Sequence, residues 1–94
     1  MLIWIEKHPQ ALRDTVQKEL VNAGKVESFR VESYKEPKKG TMYRLCAYLP
    51  GQDWERLIDD LTEDQAKKAA DLLTSAIAEG ETPIVRMVDI GDRL

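Results

Sequence analysis

The chain has one cysteine and one histidine in 94 residues, and the scarcity of both closes off much chemistry. Cys46 alone excludes an internal disulfide framework and suits a reducing compartment, so a cytoplasmic location is expected. Structural zinc needs four nitrogen or sulfur ligands, and His8 and Cys46, 38 positions apart, cannot supply them. A nucleophilic triad needs a base beside the nucleophile and a third group to orient it. Without a second histidine, Cys46 reads as a small packing residue. Its cross-strand neighbour Arg30 would act to lower its thiol pKa. His8, just before Pro9, reads as a helix-start residue. The five glycines, Gly24, Gly40, Gly51, Gly80 and Gly91, are isolated, each beside an expected turn, and form no phosphate-binding loop. Apolar runs are only a few residues long, too short to span a membrane. The opening MLIWIEK lacks the basic leader and small-residue cleavage site of a signal peptide. No catalytic residue, metal or cofactor is expected, and the chain reads as a non-enzyme.

What is present is charge and alternation. The charged fraction of 33% and hydrophobic fraction of 43% suit a folded globular chain, and the absence of linkers or repeats makes 1–94 one domain. The net charge of −3 is uneven. Residues 1–50 carry a +3 excess and residues 51–94 a −6 excess. The acids Asp59, Asp60, Glu63 and Asp64 gather in one stretch. They lack the alternating ligands, central glycine and terminal glutamate of a calcium-binding loop, so they read as an exposed acidic surface.

Lys25–Leu49 reads as a β-hairpin turning at EPKKG. Setting Lys35 opposite Thr41 places Phe29, Val31, Tyr43, Leu45 and Ala47 on one face. The other face receives Arg30, Glu32, Tyr34, Met42, Arg44, Cys46 and Tyr48, with Glu32 opposite Arg44 as a cross-strand charge pair. Before the hairpin, Leu2–Glu6 alternates as a short strand with Ile3 and Ile5 turned inward. Leu12, Val16, Leu20 and Ala23 form a helical stripe from Pro9 to Ala23, with Gly24 as a left-handed cap. After Pro50-Gly51, Asp53 is expected to cap a short helix with the stripe Trp54, Leu57, Ile58 and Leu61. Thr62 and Gln65 form a capping-box pattern that starts a second helix running to Gly80. Thr82–Ile90 closes the chain as a strand.

The order β-α-β-β-α(α)-β predicts an α+β domain of ferredoxin-like type. Its four antiparallel strands would run 4-1-3-2, with the helices on one face. Strand one would then lie beside strand three, so the helix-free face would display Trp4, Met42 and Tyr48. An exposed apolar face of this kind marks protein contact. The leading expectation is a small acidic regulator, an adaptor or inhibitor, that binds another protein through Trp4, Met42 and Tyr48 and is steered by Asp59, Asp60, Glu63 and Asp64. A homodimer through the same face is a second use, as is a small-molecule-sensing or dimerisation domain. The alternative is an RNA or single-stranded DNA binder using Arg30, Tyr34, Lys35, Lys38, Lys39 and Arg44. It is opposed by the negative net charge and by the absence of the glycine–aromatic ribonucleoprotein pattern.

Overall fold

The long hairpin forms in the register that its alternation dictates. In the computed structural model, which describes residues 2–11, 20–51 and 54–94, β3 (Ser28–Glu36) pairs antiparallel with β4 (Gly40–Tyr48). Lys35 lies opposite Thr41, Val31 opposite Leu45 and Phe29 opposite Ala47. Leu45 and Ala47 are wholly buried, and Phe29, Val31 and Tyr43 pack around them. At the turn, the Lys39 N–H donates to the Glu36 carbonyl at 3.2 Å. Gly40 sits at φ 79°, a left-handed conformation that side-chain-bearing residues rarely adopt.

The expected short helix after Pro50-Gly51 is instead a strand, β5 (Glu55–Leu61), antiparallel to β4. Leu45 faces Ile58, Cys46 faces Arg56 and Tyr43 faces Leu61, so two extra residues are inserted on the β5 side. Each bulge resets the alternation of faces, which lets adjacent Leu57 and Ile58 both be buried along with Leu61. A strand broken twice thus imitates a helical spacing. Asp60 takes φ 58° in this irregular stretch, the one non-glycine residue with positive φ among the described residues. Asp53, the expected cap, lies outside the described residues.

α1 (Glu63–Glu79) starts and stops where expected. The Gln65 N–H donates to Thr62 Oγ1 at 3.2 Å, and the Thr62 N–H donates to Gln65 Oε1 at 3.0 Å, completing the capping box. Gly80 ends the helix at φ 62°, its N–H bonded to the Ala76 carbonyl. Ala66, Ala69 and Leu73 are wholly buried, and the small alanines let the helix lie close on the inner face of β3, β4 and β5.

The remaining strands make a separate small sheet. β1 (Trp4–Glu6) pairs antiparallel with β2 (Leu20–Asn22) and parallel with β6 (Ile84–Arg86). Its centre is a row of three buried residues, Val21, Ile5 and Val85, held in register. Among the described residues the fold is therefore α+β with two three-stranded sheets, ordered β2-β1-β6 and β3-β4-β5, and two α-helices. The four-stranded ferredoxin-like order does not form, because β5 occupies the edge of β4 that β1 would have needed.

Two further expectations are corrected. Leu20 and Val21 belong to a strand rather than to the end of a helix, with Leu20 exposed, while Leu12 and Val16 lie outside the described residues. Gly24 is not a left-handed cap. It sits in a single 3-10 turn, Ala23–Lys25, where its N–H donates to Asn22 Oδ1 at 2.9 Å. At the far end, the extended run stops at Arg86. α2 (Met87–Asp92) then buries Met87 and Ile90 one helical turn apart, a spacing that a short run apolar on both faces does not separate from a strand. Among the described residues no helix is long and apolar enough to cross a membrane.

Candidate protein-binding face

The helix-free side of the β3–β4–β5 sheet gathers most of the side chains singled out from the sequence, in two clusters. At one end the Tyr48 and Trp54 rings meet with centroids 4.9 Å apart at 42°. The Arg30 guanidinium stands 5.6 Å from the Trp54 ring centre. The register makes this possible: Ser28 and Tyr48 are cross-strand partners, Arg30 and Cys46 the next pair on the same face, and Trp54 leads into β5. Cation–π and tilted aromatic contacts each contribute about 0.5–1 kcal/mol at such a site and hold the three side chains as one platform.

Toward the turn the face is more polar and more tightly tied. The Arg44 guanidinium lies 4.0 Å over the Tyr34 ring, and its Nε is 3.9 Å from Asp59 Oδ1. The Tyr34 hydroxyl donates to the Asp60 carboxylate and accepts the Asp60 N–H at 2.9 Å. Burial, followed by the hydrogen bond to Asp60, raises the Tyr34 pKa above its ordinary value. The Tyr34 hydroxyl thus meets both the amide and the carboxylate of Asp60, the residue at φ 58°.

The acidic surface expected from Asp59, Asp60, Glu63 and Asp64 is therefore split. Asp59 is wholly buried and Asp60 is bonded to Tyr34, because the bulged β5 turns this pair into the sheet. Only Glu63 and Asp64, in the first turn of α1, are exposed. Glu63 also reaches Lys67 at 3.5 Å, one helical turn on. Trp4 likewise leaves the face. It sits in the small sheet between Asn22 and Ile84, and lines a pocket of about 150 Å³ with Leu20, Val21, Asn22, Lys25, Leu49 and Glu55. Met42 stays with the face, opposite Tyr34. Lys35, Lys38 and Lys39 are exposed at the turn end of the hairpin, away from the Tyr48–Trp54 platform.

Cys46 and His8 are both held in structural surroundings. Burial, then the adjacent Glu32 carboxylate, pushes the Cys46 thiol up to about 12, outweighing the opposing pull of Arg44. Arg30, opposite Cys46 in the register, does not lower the thiol pKa. The thiol instead lies 3.8 Å from Glu32 Oε2 as a weak donor. His8 Nδ1 accepts the Gln10 N–H at 3.3 Å, and the ring packs beside Gly91, where a Cβ would stand 3.6 Å from His8 Cδ2. Among the described residues no three His, Cys, Asp or Glu side chains gather closely enough to hold a metal ion.

Two features escaped the sequence reading. The spacing of Trp54, Leu57, Ile58 and Leu61 predicts a helical core stripe, whereas the strand β5 brings Trp54 beside Tyr48. Lys7, at 2% exposure, is buried and donates from Nζ to Glu55 Oε2, tying the end of the small sheet to the start of β5. No pattern in MLIWIEK signals that burial. No family model matches the chain, and neither the curated proteins nor the solved structures include a significant match to it.

Proposed function

We propose that the chain is a non-catalytic regulator, an adaptor or inhibitor, that binds another protein through the helix-free face of the β3–β4–β5 sheet. The observation that carries this reading is the Tyr48–Trp54–Arg30 platform. It consists of two aromatics and an arginine, the types most enriched at interface hot spots, already locked against each other before any partner arrives. Pre-ordered side chains lose little freedom on binding, which favours affinity. Met42 extends the platform as adaptable apolar surface. Glu63 and Asp64 remain as exposed acids able to steer a basic partner, a role mainly expressed in the association rate.

The nucleic-acid alternative is weakened by where its residues lie. Arg44 and Tyr34 are engaged with each other and with Asp59 and Asp60, so the Arg44 guanidinium and the Tyr34 ring face beneath it are already occupied. Lys35, Lys38 and Lys39 cluster away from the Tyr48–Trp54 pair.

The test is affinity capture with the whole chain, repeated after nuclease treatment and with Trp54→Ala. A protein captured by the wild type should survive nuclease and be lost with Trp54→Ala, provided circular dichroism shows that the variant is folded. Recovery of RNA or DNA alone, lost with Lys38→Ala and Lys39→Ala but not with Trp54→Ala, would overturn the reading.

A further inference from the structure

Most sheet edges in this fold are short or closed. β1, β2 and β6 are three residues each. The outer edge of β5 is occupied from the side, where the His8 N–H donates to the Leu57 carbonyl at 2.9 Å and Gln10 Nε2 donates to the Asp59 carbonyl at 2.8 Å. β3 is different. It runs nine residues, and among the described residues no strand pairs with its outer side. Alternate residues of such an edge turn unpaired amide and carbonyl groups outward, a template for a further strand.

Native edges of this length are commonly protected by charges of one sign, which repel a second copy. The charges from Glu27, the residue before β3, to Lys35 do the reverse. Written from Glu27 to Lys35, the edge reads Glu27, Arg30, Glu32, Lys35, with signs that invert about Val31. We infer that β3 pairs antiparallel with β3 of a second copy of this chain, about a two-fold axis at Val31.

In that register Val31 meets Val31, Arg30 meets Glu32 twice, and Glu27 meets Lys35 twice. Every charged residue from 27 to 35 then faces its opposite. Directly opposed residues share a face, so the Arg30–Glu32 pairs lie on the helix-free side and the Glu27–Lys35 pairs flank the apolar centre on the other. Neighbouring registers lose this. Centring on Glu32 sets Glu32 against itself and Lys35 against Phe29, and centring on Arg30 sets Arg30 against itself. Closed two-fold pairing also consumes both edges, so the assembly stops at two copies. The result is one six-stranded sheet with two Tyr48–Trp54–Arg30 platforms on a shared face. The pairing shares Arg30 with that face but does not depend on what the face binds.

Glu27 and Lys35 supply the test, because both are exposed and neither side chain takes part in a hydrogen bond or ion pair among the described residues. Sedimentation equilibrium is run on the whole chain as wild type, Glu27→Lys, Lys35→Glu and an equimolar mixture of the two variants, with circular dichroism to confirm unchanged folding. The wild type should dimerise. Either variant alone converts two opposite pairs into two like pairs and should weaken association about tenfold or more. The mixture should regain wild-type strength, since a mixed dimer restores two opposite-charge pairs, one in the native Glu27–Lys35 orientation and one with its ends exchanged. Amide exchange in β3 should slow as protein concentration rises. A wild type that stays monomeric at millimolar concentration would overturn the inference. So would a dimer indifferent to both variants, or a mixture no stronger than its components.

Discussion

Replacing Glu55 by alanine tests what joins the two sheets. Lys7 follows β1 and Glu55 opens β5, with Nζ to Oε2 at 2.5 Å; the lysine side chain is fully enclosed, whereas that of Glu55 is 27% exposed. At that separation and an effective dielectric of about 20, the gross attraction is roughly 7 kcal/mol, most of it offset by the cost of drying the ammonium. Removing the carboxylate leaves that cost uncompensated. Breaking a fully buried pair typically costs about 3–5 kcal/mol, and the partial exposure of Glu55 argues for about 3 here. In urea unfolding, with a slope near 1.5 kcal/mol per molar, the midpoint should fall by about 2 M. Lys7→Met should behave differently. It keeps the apolar stem and leaves a carboxylate that can reach water, so its cost should stay below about 1 kcal/mol. The double variant Lys7→Met with Glu55→Ala should then sit close to Lys7→Met alone. A Glu55→Ala variant within about 0.5 kcal/mol of wild type, or a Lys7→Met variant as unstable as Glu55→Ala, would refute the account of a buried charge held by one partner.

Cys46 should resist alkylation in the native protein at pH 8 and react only on unfolding, as a timed labelling series with and without denaturant would show. Its folded pKa of about 12 lies above the ordinary value of 9.0. The protonated thiol's contribution is thus intact below about pH 9 and lost as pH rises toward 12, so stability should fall by up to about 1.4 kcal/mol per pH unit there. Urea midpoints at pH 8, 9.5 and 10.5 check the sign, and a flat profile would contradict it. Asp59→Lys should unfold the chain, while Glu63→Lys with Asp64→Lys should cost no more than about 1–2 kcal/mol through the helix N-terminus. Thermal melts separate the two. Tyr34→Phe, which removes a hydroxyl bonded to both the amide and the carboxylate of Asp60, should lose about 2 kcal/mol in the same assay.

Local patterns carried the hairpin and the long helix. Alternation from Phe29 to Ala47 admits one register that buries Leu45 and Ala47, since a one-residue slip would turn both outward. Thr62, Gln65 and Gly80 mark the ends of α1 through bonds made within a few residues. The outward face of the hairpin followed directly, which is why Arg30, Tyr34, Met42, Arg44 and Tyr48 stand together as expected. What spacing alone did not convey depends on distant partners. Leu57 and Ile58 are both buried because β4 tolerates two bulges opposite them, and that choice turned an apparent helix into a strand and brought Trp54 to Tyr48. Once β5 lay on β4, β1 had no place in that sheet. It paired with β2 and β6, taking Trp4 away from the face and drawing Lys7 into the interior. Their sequence neighbours predict Asp59 and Asp60 as solvated charges, but the burial of Asp59 beside Arg44 and the bonding of Asp60 to Tyr34 are set across the sheet. Periodicity within one segment determines which residues share a face. Which faces meet is decided by competition among strands for the same edge, and that competition is settled only when the whole chain folds.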